Sequence, residues 1–190
     1  MALTLTLCEA RAMTVLRCTA KLLKAMRTPW RAGAAAEETV TRLGDWTANL
    51  IQAGRKKVIL VMNDQTRHLV VIDAAPFATV PQRFLLSLHK SLVTLGVPAD
   101  LAADEIAGMK PVLIEPAKSR SVLSAISQVA WRLELEVRDG MRSAEQLTNY
   151  LSDNITTING KLDFPIDHVR KAFGLEKGPR AKGMPGVTLQ

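Results

Sequence analysis

Apolar and polar positions along this chain change their period several times, and each change marks an element. Between Leu43 and Asp73, three short runs rich in β-branched and aliphatic residues are separated by polar or glycine-bearing links. Residues 46–51 predict a first strand, closed by Gly54. Residues 57–62 predict a second, closed by Asn63-Asp64, and residues 67–72 a third. A meander of this kind must bury one face under something else. Helical periods on either side supply the candidates. Residues 81–95 carry an apolar stripe of Phe84, Leu85, Leu88, Leu92 and Leu95, with Pro81 in the first turn and Gly96 and Pro98 as stops. Residues 100–107 add a further helical turn or two.

The second half follows the same logic. Residues 112–114, between Pro111 and Pro116, predict an edge strand, because proline cannot donate to a central ladder. Ser119 or Ser121 caps the longest helix, over 122–138, with Val122, Ile126, Val129, Leu133 and Val137 at steps of three and four. Trp131 and Leu135 widen that stripe, and Gly140 ends it. Ser143 and Gln146 supply a partial capping box for a helix running to about residue 155, although 156–158 is strand-like. Asn159-Gly160 is a turn, and 165–173 is a last short helix stopped by Gly174.

Ahead of the meander, residues 14–17 read as a short extended segment. Thr19 is an N-cap for a helix over 20–26. Leu22, Leu23, Met26 and Trp30 fall on one side at helical spacing, and Arg17, Lys21 and Lys24 on another. Thr28-Pro29 ends the helix, and 31–36 is a small, glycine-containing loop. Residues 1–12 alternate Leu and Thr like an add-on, with Met13 an alternative start, and residues 175–190 lack apolar periodicity and predict a disordered basic tail. The organisation expected is one α+β domain over 13–174, an antiparallel β-meander packed against several helices.

Composition narrows the setting. The 190 residues suit one domain, and 47% hydrophobic with 23% charged is ordinary for a globular chain. No apolar run approaches the roughly 20 residues that a membrane helix needs, and the N-terminus lacks a basic segment followed by an apolar one. Two cysteines, Cys8 and Cys18, are too few for a disulfide framework and fit a reducing cytoplasm; without CxxC spacing they predict no metal site. The net charge of +7 is uneven. Residues 1–31 carry +5 and residues 170–190 carry +4, so the body is nearly neutral between basic ends. Such asymmetry can mark an anionic partner such as nucleic acid, another polyanion or a phospholipid surface, although basic ends are more often simply solvated charge.

Candidate chemistry is sparse. Neither GxxxxGK[ST] nor GxGxxG occurs, nor HExxH, an EF-hand loop or GxSxG, so no cofactor is expected. His68, His89 and His168 are scattered, and His68 alternates with Leu69 and Val71, which predicts an exposed strand face. Cys18 beside Arg17 at a helix start has the setting of an activated thiol, against the simpler reading of a small buried residue. Asp45, Thr47 and Asn49 face one way if Trp46 and Ala48 face the other. Asp45 and Asn49 are then candidate ligand-binding residues, or turn-holders beside a core tryptophan. Arg55-Lys56-Lys57 follows Gly54 at a strand start, where cations either meet phosphates or guard an edge.

Three stretches, RCTAKLL at 17–23, LGDWTANL at 43–50 and GRKKVILVMND at 54–64, resemble a bacterial family described only as a domain of unknown function. The resemblance runs from about Met13 to Phe173. In that family an aromatic usually follows the tryptophan and a cysteine the basic triplet, where this chain has Thr47 and Val58; a polar Asn-Asp pair in the long helix is Ser127-Gln128 here. The resemblance implies a compact α+β domain and no activity.

Together these readings favour a non-enzymatic binding or interaction protein. Arg17, Lys21, Lys24, Arg55, Lys56 and Lys57 are the candidate nucleic-acid contacts, provided they gather on one face. Two alternatives remain open: an enzyme with a site near Asp45, Asn49 and Arg55, and an accessory subunit of a mobile-element or defence assembly, with a protein partner or a second copy of itself.

Overall fold

The computed structural model describes residues 14–27, 41–139 and 143–177. The expectations for residues 1–13, Trp30, the 31–36 loop, the Gly140 stop and the tail beyond Lys177 lie outside them. In chain order the elements are β1 (Thr14–Cys18), α1 (Ala20–Met26), β2 (Trp46–Ala53), β3 (Lys56–Asn63), β4 (Leu69–Asp73), a 3-10 turn (Phe77–Thr79), α2 (Val80–Thr94) and α3 (Ala99–Gly108). There follow β5 (Val112–Pro116), α4 (Arg120–Asp139), α5 (Ala144–Ser152), β6 (Thr156–Ile158), β7 (Lys161–Asp163) and α6 (Pro165–Ala172).

The meander is present: β2 pairs antiparallel with β3, and β3 with β4. It is not the whole sheet. The extended segment at 14–18 is a full strand, pairing parallel with β2 on one side and with β5 on the other. The sheet is therefore mixed and five-stranded, in the order β4-β3-β2-β1-β5. Parallel neighbours need a crossover of a dozen or more residues, so this extension is a product of tertiary packing rather than of a local turn signal. The strand bracketed by prolines sits at an edge, and β6 and β7 form a separate hairpin.

Both faces of the sheet are covered. On one, Leu16, Trp46, Ala48, Leu50, Ile59, Val61, Val70 and Ile72 pack with Leu22 of α1, Phe84, Leu88 and Leu92 of α2, Ala102 of α3 and Val169 of α6. On the other, Ile51, Val58, Leu60, Met62, Leu69 and Val71 pack with Val122, Ile126 and Leu133 of α4 and with Leu147 and Leu151 of α5. The apolar run Val58–Met62 is buried at every position, as a doubly covered strand requires. This coverage overturns the expected exposure of His68. The imidazole does alternate outward from Leu69 and Val71, but α2 lies over that side, and His68 is wholly buried. Its Nε2 lies 3.0 Å from Ser91 Oγ, and its ring meets Trp46 edge-on at 6.3 Å. Among the described residues no helix is long and apolar enough to cross a membrane.

Edge strand β4 is blunted by side chains. The amide of Val71 donates to Thr148 Oγ1 at 2.8 Å, and Ser152 Oγ donates to the Leu69 carbonyl at 3.3 Å. Thr148 and Ser152 are four residues apart, so one face of α5 presents both hydroxyls to the strand.

Candidate functional site

The three stretches that carry the family resemblance meet in space. Gly44 adopts φ +67°, the left-handed conformation a glycine tolerates best, and lets the chain turn into β2. Glu105 on α3 holds this approach, accepting the amides of Arg42 and Leu43 at 3.0 Å each. Asn63, buried at the end of β3, donates through Nδ2 to the carbonyls of Leu43 at 2.6 Å and Asp45 at 3.2 Å. Its Oδ1 accepts the amides of Gln65 and Thr66, closing the β3–β4 turn with its own side chain.

On this frame stands an ionic constellation. Arg17 of β1 donates through Nη2 to Asp45 Oδ2 at 2.7 Å and through Nη1 to Asp64 Oδ2 at 2.9 Å. Thr47 Oγ1 donates to Asp64 Oδ1 at 2.7 Å, and Val15 N to Asp45 Oδ1 at 3.1 Å. Thr19 Oγ1 donates to Asn49 Oδ1 at 2.9 Å. Burial works against the Arg17 charge, but the bond to Asp45, the charges of Asp45 and Asp64 and the bond to Asp64 outweigh it and raise the pKa. Asp45, Thr47 and Asn49 do share a side, opposite the buried Trp46. The polar groups satisfy one another, and Asp45 also holds the backbone of β1.

Arg17 therefore does not join Lys21 and Lys24. It is a strand residue, level with Thr47 in the ladder and closed by two carboxylates. From Thr47 to Ala53 the strand advances about 20 Å, so Arg17 is also remote from Arg55. The same arithmetic separates Asp45 from Arg55. They stand beyond opposite ends of β2, about 30 Å apart along the strand, and Asp45, Asn49 and Arg55 do not form one site.

The other cations fare differently. Lys21 and Lys24 on α1 are exposed, as are Arg55 and Lys57 at the β2–β3 turn. Arg27, which the helical pattern did not single out, is exposed at the end of α1. Lys56 pairs with Asp73 at 2.9 Å. Helix α1 packs against β2 and against the 3-10 turn that follows β4, at the end of the sheet where the β2–β3 turn lies. None of Lys21, Lys24, Arg27, Arg55 and Lys57 forms an ion pair among the described residues.

Cys18 is the buried apolar residue of the simpler reading. Its thiol lies 3.7 Å from the Leu16 carbonyl, and burial pushes its pKa up to about 12, the reverse of an activated nucleophile. A cleft of about 250 Å³ lies beside β4 between α2 and α5, walled by Asp73, Lys90, Ser91, Glu145 and Thr148; neither Asp45 nor Asn49 reaches it. Among the described residues no three His, Cys, Asp or Glu side chains cluster as a metal site would require.

A family model described as a domain of unknown function, DUF6933, matches residues 15–168. No curated protein and no solved structure matches the chain.

Proposed function

The chain belongs to the DUF6933 family, and we propose that it is a non-enzymatic binding protein that holds a polyanion, nucleic acid first among them, at the α1 end of its sheet. Lys21, Lys24 and Arg27 on α1 and Arg55 and Lys57 on the β2–β3 turn are the phosphate contacts. The observation that carries this reading is that these five cations are exposed, with no carboxylate partner among the described residues. Three of the five, Lys21, Lys24 and Lys57, are lysines, which act as point charges and suit a backbone polyanion better than a base edge. Trp46 and Phe84 are buried against each other at a 5.1 Å centroid distance, and Trp131, exposed rather than part of the buried stripe expected for it, stands on α4 over the other face of the sheet from α1, away from these cations. The binding is accordingly electrostatic and indifferent to sequence.

Retention of the purified chain on immobilised duplex DNA at graded salt tests this. Each phosphate contact contributes a slope of about −0.9 in log affinity against log salt, so five contacts give about −4 to −5. A combined Lys21→Glu, Lys24→Glu, Arg55→Glu, Lys57→Glu variant loses retention at low salt. Affinity independent of salt, or unchanged in that variant, rejects the proposal.

A further inference from the structure

At the opposite end of the sheet, the β3–β4 turn finishes on Arg67, which adopts φ +61°. A non-glycine residue in the left-handed region is strained and persists where its surroundings hold it. Here Nη1 donates to the Asp64 carbonyl at 2.8 Å and Nη2 to Ser121 Oγ at 3.0 Å. The guanidinium so fixed lines a cleft of about 290 Å³ between the first half of α4 and the β6–β7 hairpin. Ser121, Ser124, Gln128, Thr157 and Asn159 supply polar walls. A smaller cleft of about 60 Å³ shares Arg67, Gln128 and Thr156 with the first, and continues between Met62, Leu69, Val129, Leu151 and Ile155. The two form one groove, polar at the α4 start and apolar toward Ile155.

Among the described residues two cations line this groove, Arg67 and Arg132, and no carboxylate does. Arg132 Nη1 donates to Asn154 Oδ1 at 2.9 Å. The direct acceptors of both guanidinium groups are uncharged; the Asp64 carboxylate, itself bound by Arg17 and Thr47, reaches Arg67 only through space, and burial outweighs its attraction. Arg17, closed by Asp45 and Asp64, shows the contrast within the same fold. Arginine presents five donors in a planar fork, so one carrying two bonds to its own chain keeps donors for a carboxylate or phosphate. The hydroxyls and carboxamides around it complete the hydrogen bonds of the remaining anion oxygens.

We propose that this groove binds a small organic anion, with its carboxylate or phosphate against Arg67 and a short apolar substituent running toward Ile155. The charge selects the head group, and the Met62, Leu69 and Val129 wall selects the tail. This site is separate from the polyanion surface and does not depend on it.

Amide resonances of the 15N-labelled full chain, titrated with hexyl phosphate, hexanoate, inorganic phosphate and methyl glucoside, test the proposal. Hexyl phosphate, hexanoate or both should shift amides of residues 121–128 and 156–160, and the stronger of the two identifies the head group. Inorganic phosphate should bind more weakly, since each methylene entering the apolar arm strengthens binding about fourfold. Gln128→Glu places a negative charge in the groove at an exposed position and should weaken binding at least about tenfold with the fold intact. Arg67→Gln should do the same, and Arg132→Gln less. The proposal is overturned if neither hexyl compound shifts these amides at millimolar concentration. It is equally overturned if Gln128→Glu binds as well as the parent, or if methyl glucoside binds as well as the anions.

Discussion

Arg17 and Asp64, 47 residues apart in the chain, meet at 2.9 Å where β1 lies alongside the β2–β3 pair. The bond ties the parallel part of the sheet to the turn that ends the antiparallel part. The side chains of Arg17, Asp45 and Asp64 are each only about one-fifth exposed, so removing the cation leaves two partly desolvated carboxylates facing each other. Arg17→Gln should lower unfolding stability by about 2 kcal/mol, seen as a lower urea midpoint at unchanged slope. The same variant should leave the salt dependence of DNA retention unaltered, because this guanidinium faces its own aspartates. A drop in retention slope with an unchanged midpoint would reverse the assignment.

Thr148 closes the Val71 amide on the free edge of the sheet. Thr148→Val keeps the shape and removes the acceptor, so a buried amide loses its partner at a cost of about 1–2 kcal/mol. Adding Ser152→Ala uncovers the Leu69 carbonyl as well. The double variant should aggregate at concentrations where the parent stays monodisperse by light scattering, since an unpaired edge is a template for a second chain.

What the sequence made legible was local. The 159–160 turn, the Ser143–Gln146 capping box and the proline-bracketed edge strand rest on chemistry within a few residues, and the structure contains all three. The box is reciprocal, with Gln146 N donating to Ser143 Oγ and Ser143 N to Gln146 Oε1. Parallel pairing of β1 was illegible because nothing local specifies a partner reached through a crossover. The pairing of Arg17 with Asp64 was illegible for the same reason: i, i+4 spacing put the arginine with Lys21, whereas strand geometry turns it to the other side. The groove at Arg67 escaped notice because its walls come from four separate segments, and its one signal was an arginine at a turn position where glycine or asparagine is usual.

Cys18 offers a direct check on burial. With its thiol pushed up to about 12 and enclosed beneath α1, it should resist iodoacetamide in the native chain at pH 8 and react fully in guanidinium. Peptide mapping after labelling distinguishes it from Cys8. Native labelling of Cys18 at the rate of a free thiol would mean that α1 opens readily from the sheet.

His68 sets a pH dependence whose sign is fixed by its surroundings. Burial beneath α2 pulls its pKa down to about 4 from the ordinary 6.5. Well above pH 6.5 the imidazole is neutral in both folded and unfolded chains and contributes no pH dependence. Between 6.5 and about 4 the unfolded chain binds the proton more readily, so stability falls as pH falls. At pH 5 the loss amounts to about 2 kcal/mol relative to pH 7. Replacing His68 by Leu, together with Ser91→Ala so that the hydroxyl facing it is removed as well, should abolish this component. Because the substitutions also change the baseline, the slope of stability between pH 7 and pH 5 is the quantity to compare. Urea titrations at those two values give it, and a parent and double variant with equal slopes would show that the imidazole accepts a proton inside the fold.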